Sequence, residues 1–235
     1  MIRHLRTAAQ LLRAGQWRDV WQSGRTFFKS DTQSFGLRRD VTVPFQAPEA
    51  AIPITVRPLQ PGDVPYLFGT GDRDLSGDAV RERKIRQRMV DSNLATCYVA
   101  VTADGQPCYV QWLIGPREND KIRQIFGDRF PPLAAGEMLL EGAFTLEAWR
   151  GKGIMASAMA KIAERALPAG ARWGVTFVGA GNIPSLKGCK KAGFEPYLER
   201  TDTVRLFRHK SRFAPLPEAE TPTKMSASIG APSLA

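Results

Sequence analysis

At 235 residues, with 43% hydrophobic and 24% charged residues, the chain is globular in composition and long enough for one ordinary domain with extensions. It has no apolar run near the ~20 residues that span a bilayer. Its three scattered cysteines (Cys97, Cys108, Cys189) suggest a reducing, cytoplasmic setting without disulfides, and with only two histidines they match no metal-site spacing, so no metal is expected. The net charge of +10 favours anionic partners, but no helix-turn-helix, zinc-finger or RNA-binding aromatic signature accompanies it, so nucleic acid is not among them.

Residues 1–30 read as a basic amphipathic helical extension. Ile2, Leu5, Ala9 and Leu12 recur at helical spacing, Trp17, Trp21 and Phe27 prolong the apolar side, and Arg3, Arg6, Arg13, Arg18 and Arg25 supply charge. Three readings stand for residues 1–28: packing on the domain or on a second copy in a homodimer, peripheral contact with an anionic membrane, or a cleaved Arg-rich targeting segment. Residues 31–53, polar and then punctuated by Pro44, Pro48 and Pro53, read as a linker. The domain is expected over 54–210, opening with the alternating strand Ile54–Leu59.

A charged helix follows from Asp78 to about Asp91, with Val80, Ile85 and Met89 as its apolar stripe. Its Arg81, Arg83, Lys84, Arg86 and Arg88 read as a solvated face, with a dedicated anion site as the alternative. Strands Thr96–Thr102 and Pro107–Ile114 flank Asp104-Gly105, a strong hairpin signal. The second carries Gln111 and Trp112. Residues 116–136 form an insertion with a short helix, 120–126, placed to shape substrate access. At the C-terminal end, 195–200 and 203–208 read as a hairpin turning at Thr201-Asp202. The Pro/Ser/Ala-rich segment 211–235 reads as disordered.

The stretch between them carries the chemistry. An apolar strand, Met138–Leu146, runs into Arg150-Gly151-Lys152-Gly153 and then an Ala/Met-rich helix from Ile154. Glycines before a helix N-terminus let an anion approach free backbone N–H groups. A second strand, 172–178, leads to Asn182-Ile183-Pro184-Ser185 and closes on Gly193-Phe194. Together these two signals resemble the GNAT superfamily of N-acetyltransferases. Arg150, Gly153, Asn182, Ser185, Gly193 and Phe194 match at the expected spacing over roughly residues 52–210. Met155 departs, standing where the family usually has Gly or Ala, and so does Cys189, standing where many members have the Tyr that serves as general acid.

The resemblance implies a mixed α/β fold with a mostly antiparallel sheet, splayed at the cofactor strand and flanked by helices. It also implies transfer of an acetyl or longer acyl group from acetyl-CoA or another acyl-CoA to a small-molecule amine by direct attack. Two alternatives stay open: an acyl carrier protein as donor, and a non-catalytic CoA-binding, membrane-associated interaction module. The turn residues Arg150, Gly151, Lys152, Gly153, Ile154 and Met155 would hold the cofactor, with Asn182 and Ser185 on its arm or capping the helix. By resemblance a backbone N–H near Thr145 would polarise the thioester carbonyl. Gly142 fits either a bulge or close packing. Glu141, in an apolar strand where burial would raise its pKa, is the sharper candidate base, and an ion pair is its alternative. Glu137 shares its face. Cys189 occupies the acid position or is a small buried hydrophobe. Gln111 and Trp112 would border the acceptor.

Overall fold

The computed structural model describes residues 29–68, 77–205 and 208–216. Of the expected helical extension over 1–30, positions 1–28 lie outside the described residues, and Lys29 and Ser30 open a strand instead; positions 217–235 of the expected tail also lie outside. Eight strands form one sheet: β1 Lys29–Asp40, β2 Ile54–Pro58, β3 Thr96–Thr102, β4 Pro107–Ile114, β5 Glu137–Thr145, β6 Trp173–Gly179, β7 Glu195–Arg205 and β8 Arg208–Pro215. Their order is β2-β3-β4-β5-β6-β1-β7-β8. Among the described residues, only β5 and β6 pair in parallel. This is the mixed, mostly antiparallel α/β sheet expected from sequence.

Among the described residues five α-helices flank the sheet: α1 Val64–Phe68, α2 Gly77–Asp91, α3 Asn119–Phe126, α4 Ile154–Ala163 and α5 Ile183–Lys191. Alternation along β4 shows why both faces are covered. Tyr109 and Leu113 pack with Met159 of α4 and Leu186 of α5, whereas Val110, Trp112 and Ile114 pack with Phe68 of α1, Met89 of α2 and Ile122 of α3. A strand buried on both faces is apolar along most of its length, as β4 is apart from Gln111. The β3–β4 hairpin turns where Asp104-Gly105 marks it, with Gly105 at φ +82° and its N–H donating to Thr102 O at 2.9 Å.

Two assignments change. Within the expected linker over 31–53, residues through Asp40 belong to β1, an interior strand. Ser34–Asp40 pair with β6 and Lys29–Arg38 with β7. With a ladder on each side, β1 satisfies its backbone through its neighbours and needs little apolar content of its own beyond Phe35 and Leu37. Gly36 fits because a Cβ there would stand 3.0 Å from both Leu198 Cβ and the Phe177 ring. At the other end, β7 runs straight through Thr201-Asp202 instead of turning. Asp202 is buried there and accepts from Ser211 Oγ at 2.6 Å and pairs with Arg200 Nε at 3.1 Å. Residues 211–215, expected to be disordered, therefore form part of β8.

β1 also ties the helices down. Arg39 is buried, and its Nη1 donates to Ala160 O and Ala192 O, each at 3.3 Å, near the C-terminal ends of α4 and α5. Its Nη2 meets Glu164 at 3.5 Å, and its guanidinium lies 4.2 Å over the Phe45 ring. Removing this donor takes the bond from Ala192 O and leaves Ala160 O only its helical bond from Glu164 N–H, and a buried unpaired group costs ~1–3 kcal/mol. Arg39→Leu is expected to lower unfolding free energy by about 2–3 kcal/mol in a urea titration with unchanged m-value; a change under ~0.5 kcal/mol would remove Arg39 from this role.

Candidate active site

β5 and β6 pair only over Glu137↔Trp173, Met138↔Gly174 and Leu139↔Val175. Beyond Leu139 and Val175 the strands part, and Thr176 Oγ1, donating to Leu140 O at 2.8 Å, spans the point where they separate. β5 bulges just past it. Val110 and Trp112 of β4 sit opposite Phe144 and Glu141, so Gly142 and Ala143 together face Gln111 alone. Gly142 has φ +71°, and a Cβ there would stand 2.8 Å from the Trp112 ring. Both readings of this glycine hold at once: a bulge and a close approach.

The opening is a cleft of about 270 Å³ that reaches both faces of the sheet. On the α4/α5 face it is lined by Met155, Met159, Asn182, Ser185 and Cys189. On the other face lie Ile85 and Arg86 of α2, Phe126 at the end of α3, Arg129 and Phe130 in the following loop, and Arg200 of β7. Glu141 and Gln111 line it from the strands.

The Gly-rich turn stands at the head of α4. Gly151 and Gly153 have φ +78° and +73°, a region that costs little only for glycine. Nothing stands within 4 Å of a Cβ placed at Gly151, so the turn is open on that side. Gly153 is the N-cap, and Ser157 N–H is the donor that bonds back to its carbonyl, at 3.2 Å. The N–H groups before Ser157 open the helix and point at its positive end. The turn is braced from behind by the stretch after β1, where Ala51 N–H donates to Lys152 O at 2.8 Å. Arg150 folds back, Nε donating to Thr145 O at 3.3 Å. Lys152 Nζ lies 4.5 Å over the Trp149 ring. The backbone, more than these two side chains, is what the turn offers an anion.

Leu146 N–H donates to Cys108 O on β4 at 3.1 Å. In a strand successive N–H groups alternate in direction, so Thr145 N–H faces the side from which β6 has withdrawn.

Neither a protein-family model nor a curated protein sequence matches the chain. Among solved structures, the GCN5-related glucosamine N-acetyltransferase region of a fungal multi-domain GH3 β-N-acetylglucosaminidase superposes with a TM-score of 0.54 at 12% identity, over 83% of this chain and 23% of that one. This is the GNAT fold. A Drosophila protein gives 0.49 at 12% identity over 83% and 58% of the two chains. A GCN5-related N-acetyltransferase from Sphaerobacter thermophilus gives 0.46 at 16% identity over 79% and 56%. The chain thus spans a little under three-fifths of the length of the latter two.

Within the GNAT fold the residues singled out from sequence separate. Glu141 and Gln111 reach the cleft, as do Met155, Asn182, Ser185 and Cys189. Asn182 caps α5, its Oδ1 accepting from Ser185 N–H at 3.2 Å. Met155 also fills the seam between α4 and α5, since a Cβ at Gly188 would stand 3.0 Å from its sulfur. Trp112 points to the opposite face from Gln111, 1% exposed in the core, and does not line the cleft. Glu137 sits where β5 and β6 still pair, its Oε2 accepting from Ala134 N–H at 2.9 Å, so it closes a turn away from the cleft.

The surroundings of Glu141 are cationic as well as apolar. It shares the cleft with Arg86, Arg129 and Arg200, and its carboxylate favours the charged form of Arg200. Arg86, read as part of a solvated face, is 6% exposed, with its guanidinium 4.3 Å over the Phe144 ring. Its place three residues before Met89, on the stripe side of the helix, is the signal that marks it.

Two residues that sequence reasoning passed over matter here. Tyr109 is fully buried, and its hydroxyl donates to Gln111 Oε1 at 2.8 Å. This fixes the Gln111 amide so that Nε2, fully buried and without a hydrogen-bond partner among the described residues, is the free donor. Thr176 is the other. Its partner is a carbonyl on a neighbouring strand, which no sequence pattern announces.

Burial pushes the Cys189 thiol up to about 12, and its sulfur lies 3.7 Å from Met159 Sδ. It stays protonated near neutrality and is not an activated nucleophile. Burial likewise raises Cys108 to about 11 and Tyr197 to about 12. A group whose folded pKa exceeds its unfolded value binds its proton more tightly when folded. Its stabilisation is complete below the unfolded value, near 9 for the thiols, and is lost as pH rises towards 11–12. Thermal melts from pH 7 to 11 are expected to show a flat Tm to about pH 9 and a steady fall above it, weakened in Cys189→Ala; a Tm indifferent to pH up to 11 would contradict this burial.

Proposed function

We propose that the protein is an acyltransferase that moves an acetyl or longer acyl group from an acyl-CoA to an amine. The observation that carries this reading is the juxtaposition of an open, glycine-built helix N-terminus with a cleft made by two strands that part. One recognises a pyrophosphate, and the other admits a thioester arm into the sheet. The residues present fit such a donor: the turn is open at Gly151, Thr145 N–H faces the vacated side, and the buried Gln111 Nε2 lacks a partner.

The donor supplies an activated acyl group and a thiolate leaving group. Backbone N–H groups from Gly151 to Met155 hold its pyrophosphate, and Asn182 and Ser185 flank its arm. Thr145 N–H donates to the thioester carbonyl. Glu141 takes the proton from the attacking amine, directly or through water. In the transfer the amine nitrogen forms a bond to the carbonyl carbon and the carbon–sulfur bond breaks. The amine gives up one proton and the thiolate takes one up, from solvent, since Cys189 holds its own too tightly to serve.

The test is calorimetric titration with acetyl-CoA beside a Gly151→Val/Gly153→Val double variant. Each Val is forced into a conformation that costs a β-branched residue ~1–3 kcal/mol. Saturable binding is expected for the parent, weakened about 100-fold or more in the variant. A folded parent protein that binds no acetyl-CoA would reject free acetyl-CoA as donor.

A further inference from the structure

The half of the cleft facing α2 and α3 is built differently from the half facing α4 and α5. Among the described residues that line the cleft, three carry guanidinium groups (Arg86, Arg129, Arg200) and one, Glu141, carries a carboxylate. The remainder of this half is apolar and aromatic. Phe126 meets Phe130 edge-on at 5.1 Å, and Phe130 meets Phe177 at 5.3 Å.

The arginines differ in what they are free to do. Arg200 is committed to the fold: Nη1 donates to Arg129 O at 2.9 Å, Nη2 to Ser34 Oγ at 3.1 Å, and Nε meets Asp202 at 3.1 Å. Arg129 is held by its backbone. Its carbonyl anchors Arg200, and its loop is tied down where Asn119 of α3 exchanges two hydrogen bonds with Leu133, at 2.9 and 3.1 Å. Its half-buried guanidinium meets no acceptor among the described residues. Arg129 is near enough to Arg200 to oppose its charge, as Glu141 is near enough to favour it. With three guanidiniums against one carboxylate, the lining is net cationic and disfavours a bare ammonium.

Resting on the acyltransferase reading, we infer that the acceptor is an amino-carboxylate with an apolar or aromatic side chain. Its carboxylate is held by Arg129, its side chain lies against Phe126, Phe130 and Phe177, and its amine points to Glu141. An Arg fork matches a carboxylate in shape as well as charge. The same guanidiniums favour the neutral amine over the ammonium, which is the form that attacks. The products are an N-acylamino acid and free CoA, with protons balanced as in the transfer above.

Three matched pairs test this: phenylalanine against phenethylamine, leucine against isoamylamine, and methionine against 3-(methylthio)propylamine. Members of each pair differ only in the carboxylate. Two readouts are taken, turnover with acetyl-CoA and calorimetric binding to the CoA-saturated protein. Hydrogen bonds to a charged group predict a roughly 10–100-fold advantage for the amino acid in at least one pair, in kcat/KM and in Kd alike. Arg129→Gln is expected to reduce that advantage to a few-fold, mainly by raising KM, with Arg129→Lys recovering part of it and acetyl-CoA affinity reporting that the fold is kept. Equal or better use of the amines would overturn the acceptor class and leave the acyltransferase reading standing. Selective binding of amino acids without any turnover would overturn the transfer chemistry and leave the carboxylate site standing. Absence of both binding and turnover across all six compounds would overturn the inference.

Discussion

The parting of β5 from β6 is the constraint on which the rest of the structure depends. Three parallel pairs hold the strands together, and then Thr176 Oγ1 reaches Leu140 O as they divide. Divergence leaves β5 with backbone groups that β6 no longer meets, and buried groups of that kind need a partner. The bulge at Gly142-Ala143 turns the strand there, and Trp112 packs so closely on Gly142 that no side chain fits. A cleft through the middle of a sheet is costly unless both edges are fixed, and here core packing fixes one and a side-chain hydrogen bond the other.

The second edge is secured by an uncommon use of the N-terminal part of the chain. β1 lies between β6 and β7, so β6 keeps a full ladder on its outer side while its inner side opens. From the same strand Arg39 reaches the ends of α4 and α5, and the stretch after it braces the glycine turn through Ala51. One segment thereby supports the sheet, the helices α4 and α5 and the turn itself. The α2/α3 face has its own support. Asp202 on β7 holds Arg200, Arg200 holds the Arg129 carbonyl, and Asn119 holds the loop between.

What the sequence made legible follows from how local each signal is. The hairpin at Asp104-Gly105, the glycine turn before α4 and the Asn182 cap are decided within a few residues, and they stand where the pattern places them. β1 escaped because an interior strand draws its stability from two neighbouring backbones, so its polar sequence carries little of the alternation that marks a strand. The hairpin expected at Thr201-Asp202 failed for a related reason: turn-forming residues yielded to a buried carboxylate with partners across the sheet. Gln111 and Trp112 could have been separated by alternation alone, since neighbours on a strand face opposite sides. The arginine-lined half of the cleft was not legible, because Arg86, Arg129 and Arg200 come from three distant segments and meet only in the folded sheet.

The central claim is that the α4 N-terminus and the parted strands form one donor site. Amide hydrogen exchange with and without acetyl-CoA tests it most directly, because the proposed contacts are largely to backbone N–H groups. Slowed exchange confined to Gly151–Ala156 and to the Gly142–Thr145 stretch of β5 is the result expected. Protection elsewhere, with those two stretches unchanged at saturating acetyl-CoA, would contradict the account.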